Sequence, residues 1–336
     1  MYLSGGTCVV LIMIGGGTMK LFFKIICVDT CNINPLSTVE WYLVFTCCAI
    51  ITAQLPNLNS MAGVSLVGAT TAISYCTIIW VLSISRGRPE GASYEPLNEK
   101  SGIARIFRTL NAVGIIAFVF RGHNLVLEIQ GTMPSTLQTP SRKAMWGGVK
   151  LAYLAIGLCL FPLALGGYWT YGDLIPANQG MLYALCRYHG HGISKVLLGL
   201  ISLLIVVKSL ASFQIYAMPV FDNLEFRYTS KRNKPCPQWL RSALRLFFGC
   251  LAFFVSAAFP FLPSLAGLIG GIALPITLAY PCIMWIIMRK PPRYSAMWLI
   301  NGVLGASGMV LSVLLVAAEI WSIVKIGIPV HFFKPK

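Results

Sequence analysis

Nine apolar stretches, separated by short polar or basic segments, set the frame of the chain. They cover about 3–27, 39–54, 61–82, 110–133, 144–169, 193–220, 246–258, 264–288 and 298–325. Most approach or exceed the twenty or so residues that a helix needs to cross about 30 Å of hydrocarbon. Lipid offers the backbone no hydrogen-bond partners, so apolar runs of this length predict helices. The pattern predicts an all-α polytopic membrane protein of about nine transmembrane helices, one transmembrane domain over residues 1–336. The punctuation agrees. Leu55-Pro56-Asn57-Leu58-Asn59-Ser60 reads as a tight turn, Gly15-Gly16-Gly17 and Gly267-x-x-Gly270-Gly271 as close-approach surfaces, and Pro275 as an interruption of the eighth span.

The fourth span departs most from a lipid-compatible pattern. Within Ala117-Phe118-Val119-Phe120-Arg121-Gly122-His123-Asn124-Leu125-Val126-Leu127-Glu128, four polar or ionisable side chains fall within eight residues around a glycine. Each unpaired polar group in hydrocarbon costs several kcal/mol, and irregular backbone survives there only against protein or a water-filled cavity. The segment therefore reads first as a binding site or polar pathway; pairing with neighbouring helices is the plainer alternative. The sixth span holds Lys208, Ser209, Ser212 and Gln214, too polar a set for a lipid-facing helix.

Composition narrows the class. Of 336 residues, 57% are hydrophobic and only 11% charged, against about 25% charged in soluble domains. The net charge of +16 comes from Lys and Arg clustered between spans, which suits anionic headgroups and orientation during insertion. Nucleic-acid binding is a poor second reading, because no basic face belongs to a soluble unit. Basic residues divide almost evenly between the two sides, eleven in the loops after even-numbered spans and ten opposite. The dense clusters at 227–245 and 289–293 favour a cytoplasmic even side, with the amino terminus inside. The opening has no signal-peptide n-region, and its abrupt apolar start predicts an amino-terminally shortened chain.

Of eleven cysteines, most sit within apolar spans as small hydrophobes. Cys27, Cys31 and Cys186 fall in loops on one common side, where a disulfide is open if that side is extracellular. No C-x-x-C or His-rich ligand set is present, which argues against a structural metal. No nucleophile–base set points to an enzyme.

Three motifs carry a resemblance. Phe120-Arg121-Gly122-His123-Asn124-Leu125-Val126-Leu127-Glu128-Ile129-Gln130, Ser212-Phe213-Gln214-Ile215-Tyr216-Ala217-Met218-Pro219-Val220-Phe221-Asp222 and the 55–60 turn resemble, in order, the plant amino acid/auxin permease family, closest to its lysine-histidine-transporter-like branch. The resemblance covers essentially the whole chain. It implies a leucine-transporter-like fold of two inverted five-helix repeats plus an extra helix. It also implies amino-acid transport across the plasma membrane with protons, and no cofactor beyond that coupling ion. On that alignment the first span corresponds to the family's third, so the fold is expected to lack its first two helices. Only the second-repeat broken helix remains, the one with Arg121-Gly122-His123. Where family members commonly have a small residue this chain has Arg121, and where they often have His it has Lys208; both add charge near the expected cavity.

An amino acid brings a carboxylate and an ammonium into a low-dielectric site. Backbone N–H groups at a half-helix N-terminus suit the first and unwound carbonyls the second. Phe118, Phe120, Arg121, Gly122 and Ser212 are the expected substrate-binding residues, with Gly122 permitting the break. His123 or Glu128 is the expected proton-responsive group. Each has a plainer alternative: packing for His123, and for Glu128 a cross-helix hydrogen bond or a pair with Lys208 or Arg121. Tyr75, Ser209 and Gln214 read as helix-to-helix glue, and Trp80, Trp298 and Trp321 as interfacial anchors. The competing functional class is a truncated, non-transporting isoform acting as a regulatory or dominant-negative membrane partner. The expected partners are a small amino-acid substrate and membrane lipid.

Overall fold

The structure, a computed structural model, describes residues 2–27, 36–54, 61–95, 102–120, 122–136, 138, 140–176, 180–259 and 262–326. The 55–60 turn, Arg121 and Cys31 lie outside these. Among the described residues twelve α-helices follow one another: α1 Tyr2–Cys27, α2 Thr38–Ala53, α3 Met61–Arg86, α4 Gly102–Val119, α5 His123–Thr132, α6 Ser141–Tyr171, α7 Gly180–His189, α8 Lys195–Arg232, α9 Gln238–Ala258, α10 Leu262–Leu274, α11 Tyr280–Arg289 and α12 Ala296–Ile326. Among the described residues, eight helical stretches are long and apolar enough to cross a membrane, α10 and α11 forming one of them. Apolar α2 is shorter, at 16 residues, or about 24 Å. The all-α polytopic expectation is borne out.

The chain divides into two compact units. The first holds α1–α3 and α6–α9. Here α1 lies along α8 and is flanked by α2 and α9, while α3 packs on α8 and α7. Glycines set the closest approaches: Phe45 of α2 fills the space a Cβ at Gly15 would take, and Tyr42 that at Gly16. The expected Gly15-Gly16 surface is thus used, whereas a Cβ at Gly17 would meet nothing within 4 Å. Gln214, buried on α8, donates to the Ala49 carbonyl at 2.9 Å and to Thr52 Oγ1 at 2.6 Å, tying α8 to α2. Ile79, Leu182, Leu185, Ile193, Leu198 and Ile201 form a core that fastens α7 to α3 and α8. Residues 144–165 of α6 remain largely exposed, as suits an apolar helix in lipid.

Three span boundaries are corrected. The sixth span was expected to stop at Val220, before a basic loop over 221–245. Instead α8 continues to Arg232 despite Pro219, and the connection is only Asn233 to Pro237. The reason is long-range. Glu225 on the added turns meets Arg241 at 2.9 Å and Arg245 at 3.8 Å, and Arg245 donates to the Ala53 carbonyl at 2.7 Å. Asn233, with φ 49°, then ends the helix in the left-handed conformation. The seventh span, expected over 246–258, accordingly begins eight residues earlier, at Gln238. The fourth, expected from about 110, begins at Gly102 and is divided.

The second unit holds α4, α5 and α10–α12. Its centre is the meeting of α4, α10 and α12. A Cβ at Gly270 would strike the Gly114 carbonyl oxygen and come within 2.8 Å of the Phe118 amide nitrogen; one at Gly114 would lie 3.1 Å from the Gly267 carbonyl. The Gly267-x-x-Gly270-Gly271 surface therefore lets two backbones touch. Pro275 does not break the eighth span. It opens a π turn over Pro275–Ala279 that leads directly into α11. Proline offers no N–H to the Gly271 carbonyl four residues back, and Ser312 of α12 donates to that oxygen at 2.8 Å instead. Trp321, expected as an interfacial anchor, stacks on Phe107 at 4.7 Å inside this unit.

Candidate functional site

The polar fourth span is interrupted where its sequence turns polar. α4 closes at Val119, with the Phe120 amide donating to the Ile116 carbonyl at 3.3 Å, and α5 opens at His123. Gly122 precedes the first turn of α5 and gives it no side-chain cap. Its carbonyl accepts from the Leu125 amide at 3.1 Å. The first turn of α5 therefore carries no side-chain cap, and a helix N-terminus left uncapped by side chains favours an anion. Gly122 has φ −58° and ψ −9°, right-handed values open to any residue, and a Cβ there would meet nothing within 4 Å. The break therefore does not draw on glycine's conformational freedom.

The expected site residues fall as follows. Phe118 is buried at the Gly270 crossing, so it packs the core of the second unit. Phe120 is half-buried and Gly122 exposed. Glu128 lies on an exposed face of α5. His123 begins α5, with its side chain outside the described residues. Ser212 is half-buried on α8, in the first unit. The structure places Phe118 on α4, Phe120 and Gly122 in the break, and His123 and Glu128 on α5, all in one unit.

Two polar constellations escaped the sequence reading. In the second unit, Asn111 of α4, its amide turned to suit its neighbours, donates to the Ala318 carbonyl at 3.3 Å and the Phe107 carbonyl at 3.1 Å. It also accepts from Ser322 Oγ at 3.2 Å. Glu319, on the next residue of α12, is 1% exposed. The signal for it was present: a lone ionisable residue in a long apolar run.

The other constellation lies at the end of the first unit, where α7 meets α3 and α6. Ser83 Oγ donates to the Ile79 carbonyl at 2.7 Å, and Tyr171 donates to Ser83 Oγ at 3.4 Å. Tyr171 Oη is also hydrogen-bonded to His189 Nδ1, 2.9 Å away, the imidazole tautomer setting which of the two donates. Burial, and then the nearby Arg86 guanidinium, hold the His189 pKa below its ordinary value. Cys186 on α7 is a free thiol that burial pushes up to about 11. Among the described residues no cluster of three or more His, Cys, Asp or Glu is placed to hold a metal.

Membrane-length apolar helices, one of them interrupted at its polar centre, make this a multi-pass membrane protein. Residues 4–325 match the family described as transmembrane amino acid transporter protein, and the chain belongs to that family. It is 55% identical over 334 residues to lysine histidine transporter-like 8 of Arabidopsis thaliana, covering 99% of this chain and 64% of that relative. To lysine histidine transporter-like 7 of the same plant it is 43% identical over 338 residues, covering 100% and 69%. To amino acid permease 3, again from Arabidopsis thaliana, it is 25% identical over 335 residues, covering 91% and 66%. The chain thus spans about two thirds of the length of these relatives. No solved structure matches it.

Proposed function

We propose that this chain takes part in proton-coupled transport of amino acids across the plasma membrane, as a carrier and not an enzyme. The site would be built on the α4–α5 interruption of a leucine-transporter-like, inverted-repeat fold. The observation that carries the reading is the interruption itself, in a chain of the amino acid transporter family. A half-helix N-terminus without a side-chain cap suits a substrate carboxylate. Names of the relatives, lysine histidine transporter-like, point to the same substrate class.

In this reading Phe120 and Gly122 lie against the substrate, and Phe118 holds the α4 end of the break in place. His123 or Glu128 takes the coupling proton. A histidine titrates near physiological pH, and a carboxyl can follow when water is excluded. The test is amino-acid uptake against external pH for the wild type, Glu128→Gln and His123→Ala. One variant should flatten the pH dependence while uptake at the acidic optimum falls by less. An unchanged profile in both removes these residues from coupling.

A further inference from the structure

Glu319 lies within α12, and among the described residues neither carboxyl oxygen has a hydrogen-bond partner. Its place is set by a glycine. A Cβ at Gly267 of α10 would overlap Oε1 and come within 2.6 Å of the carboxyl carbon. The carboxyl therefore fills a notch that any larger residue would close. Polar groups around it are committed elsewhere: Asn111 to Phe107, Ala318 and Ser322, and Ser312 to the Gly271 carbonyl.

Among the described residues, none of the cations of the neighbouring helices bonds to it either. α10 and the π turn carry no ionisable residue. The cations of α4 are Arg105 and Arg108, and α11 contributes Tyr280, Cys282 and Arg289. α5, which packs on the π turn, carries His123 and Glu128. Lys325 is ~9 Å further along α12, with its ammonium 4.5 Å from the Trp321 ring. None gives a Glu319 oxygen a hydrogen bond. A carboxylate ion enclosed without a donor is far costlier than the neutral acid.

We propose that Glu319 is a proton-binding site. It is held as the neutral acid while α4, α10 and α12 are packed together, and it gives its proton to water when those helices part. The carboxylic acid then becomes a carboxylate and the proton leaves as hydronium, with nothing oxidised or reduced. Resting on the transporter reading, this seats a coupling proton apart from His123 and Glu128.

Infrared difference spectra of the purified chain in lipid nanodiscs, taken through a pH titration, test it. The wild type should show the C=O stretch of a protonated carboxyl persisting at neutral pH. Glu319→Gln should delete that band, Glu319→Asp should move it, and Glu128→Gln should leave it. If Glu319→Gln does not fold, the shift in Glu319→Asp decides the matter. A band untouched by both Glu319 variants, or one abolished by sodium at constant pH, overturns the assignment. The readout needs no transport. A chain that shows the band but moves no amino acid contradicts the transporter reading alone; one that transports without the band contradicts the Glu319 site alone.

Discussion

Gly270→Ala should loosen the second unit more than any other single methyl addition at a glycine of the α4–α10 crossing. The new Cβ would lie 2.8 Å from the Phe118 nitrogen and closer still to the Gly114 carbonyl oxygen. Ordinary contact begins near 3.4 Å, so α4 must retreat by at least ~0.6 Å. Both obstacles are backbone and cannot swing aside as a side chain would. Overpacking of a core costs typically 1–3 kcal/mol, and the backbone contact places this case at about 3 kcal/mol. That is a shift of roughly a hundredfold in the unfolding equilibrium. Gly302→Ala in α12 is the matched control, because its Cβ would meet nothing within 4 Å. It should stabilise the helix by about 0.5–1 kcal/mol. Reversible unfolding in mixed micelles, followed by circular dichroism, reads both. Equal midpoints for the two variants would refute the close crossing of α4 and α10.

Arg245→Ala should cost about 3 kcal/mol, since it strips the Ala53 carbonyl of its donor and leaves Glu225 less compensated. Arg241→Ala, at a side chain 38% exposed, should cost under about 1 kcal/mol; the same micelle assay separates them. His189 has a folded pKa below the 6.5 of the free side chain, so the unfolded chain binds more protons between the two values. Its contribution is complete above about pH 6.5 and is lost as pH falls through that window to the lower folded value. Thermal midpoints should therefore drop on mild acidification in the wild type and drop less in His189→Gln. A steeper drop in the variant would contradict the assignment.

Much of this architecture could be read locally. Apolar run length gave the spans, the polar cluster around Gly122 marked the interrupted helix, and Gly267-x-x-Gly270-Gly271 announced a close crossing. Gln214 and Ser209 were legible as inward-facing, and both are buried. What escaped depends on partners distant in sequence. The extension of α8 past Pro219 is secured by Glu225 meeting Arg241 and Arg245, on a different helix. Pro275 looked like a breaker because the hydroxyl of Ser312, which satisfies the freed carbonyl, lies beyond the next connection. Glu319 was marked in the sequence only as a lone ionisable residue in an apolar run; its meaning comes from the notch at Gly267, on a different helix. The role given to Gly122 was inferred from residue type, whereas its backbone adopts values that any residue allows.

The proposed function has this chain pass amino acids with protons by way of an interrupted helix. Proteoliposomes containing the purified chain alone, given an acidic exterior and a radiolabelled amino acid, test it most directly. Saturable accumulation that collapses when a protonophore dissipates the gradient is the expected result. Uptake no greater than in empty liposomes, under the same gradient and with the protein verified as folded, would contradict it.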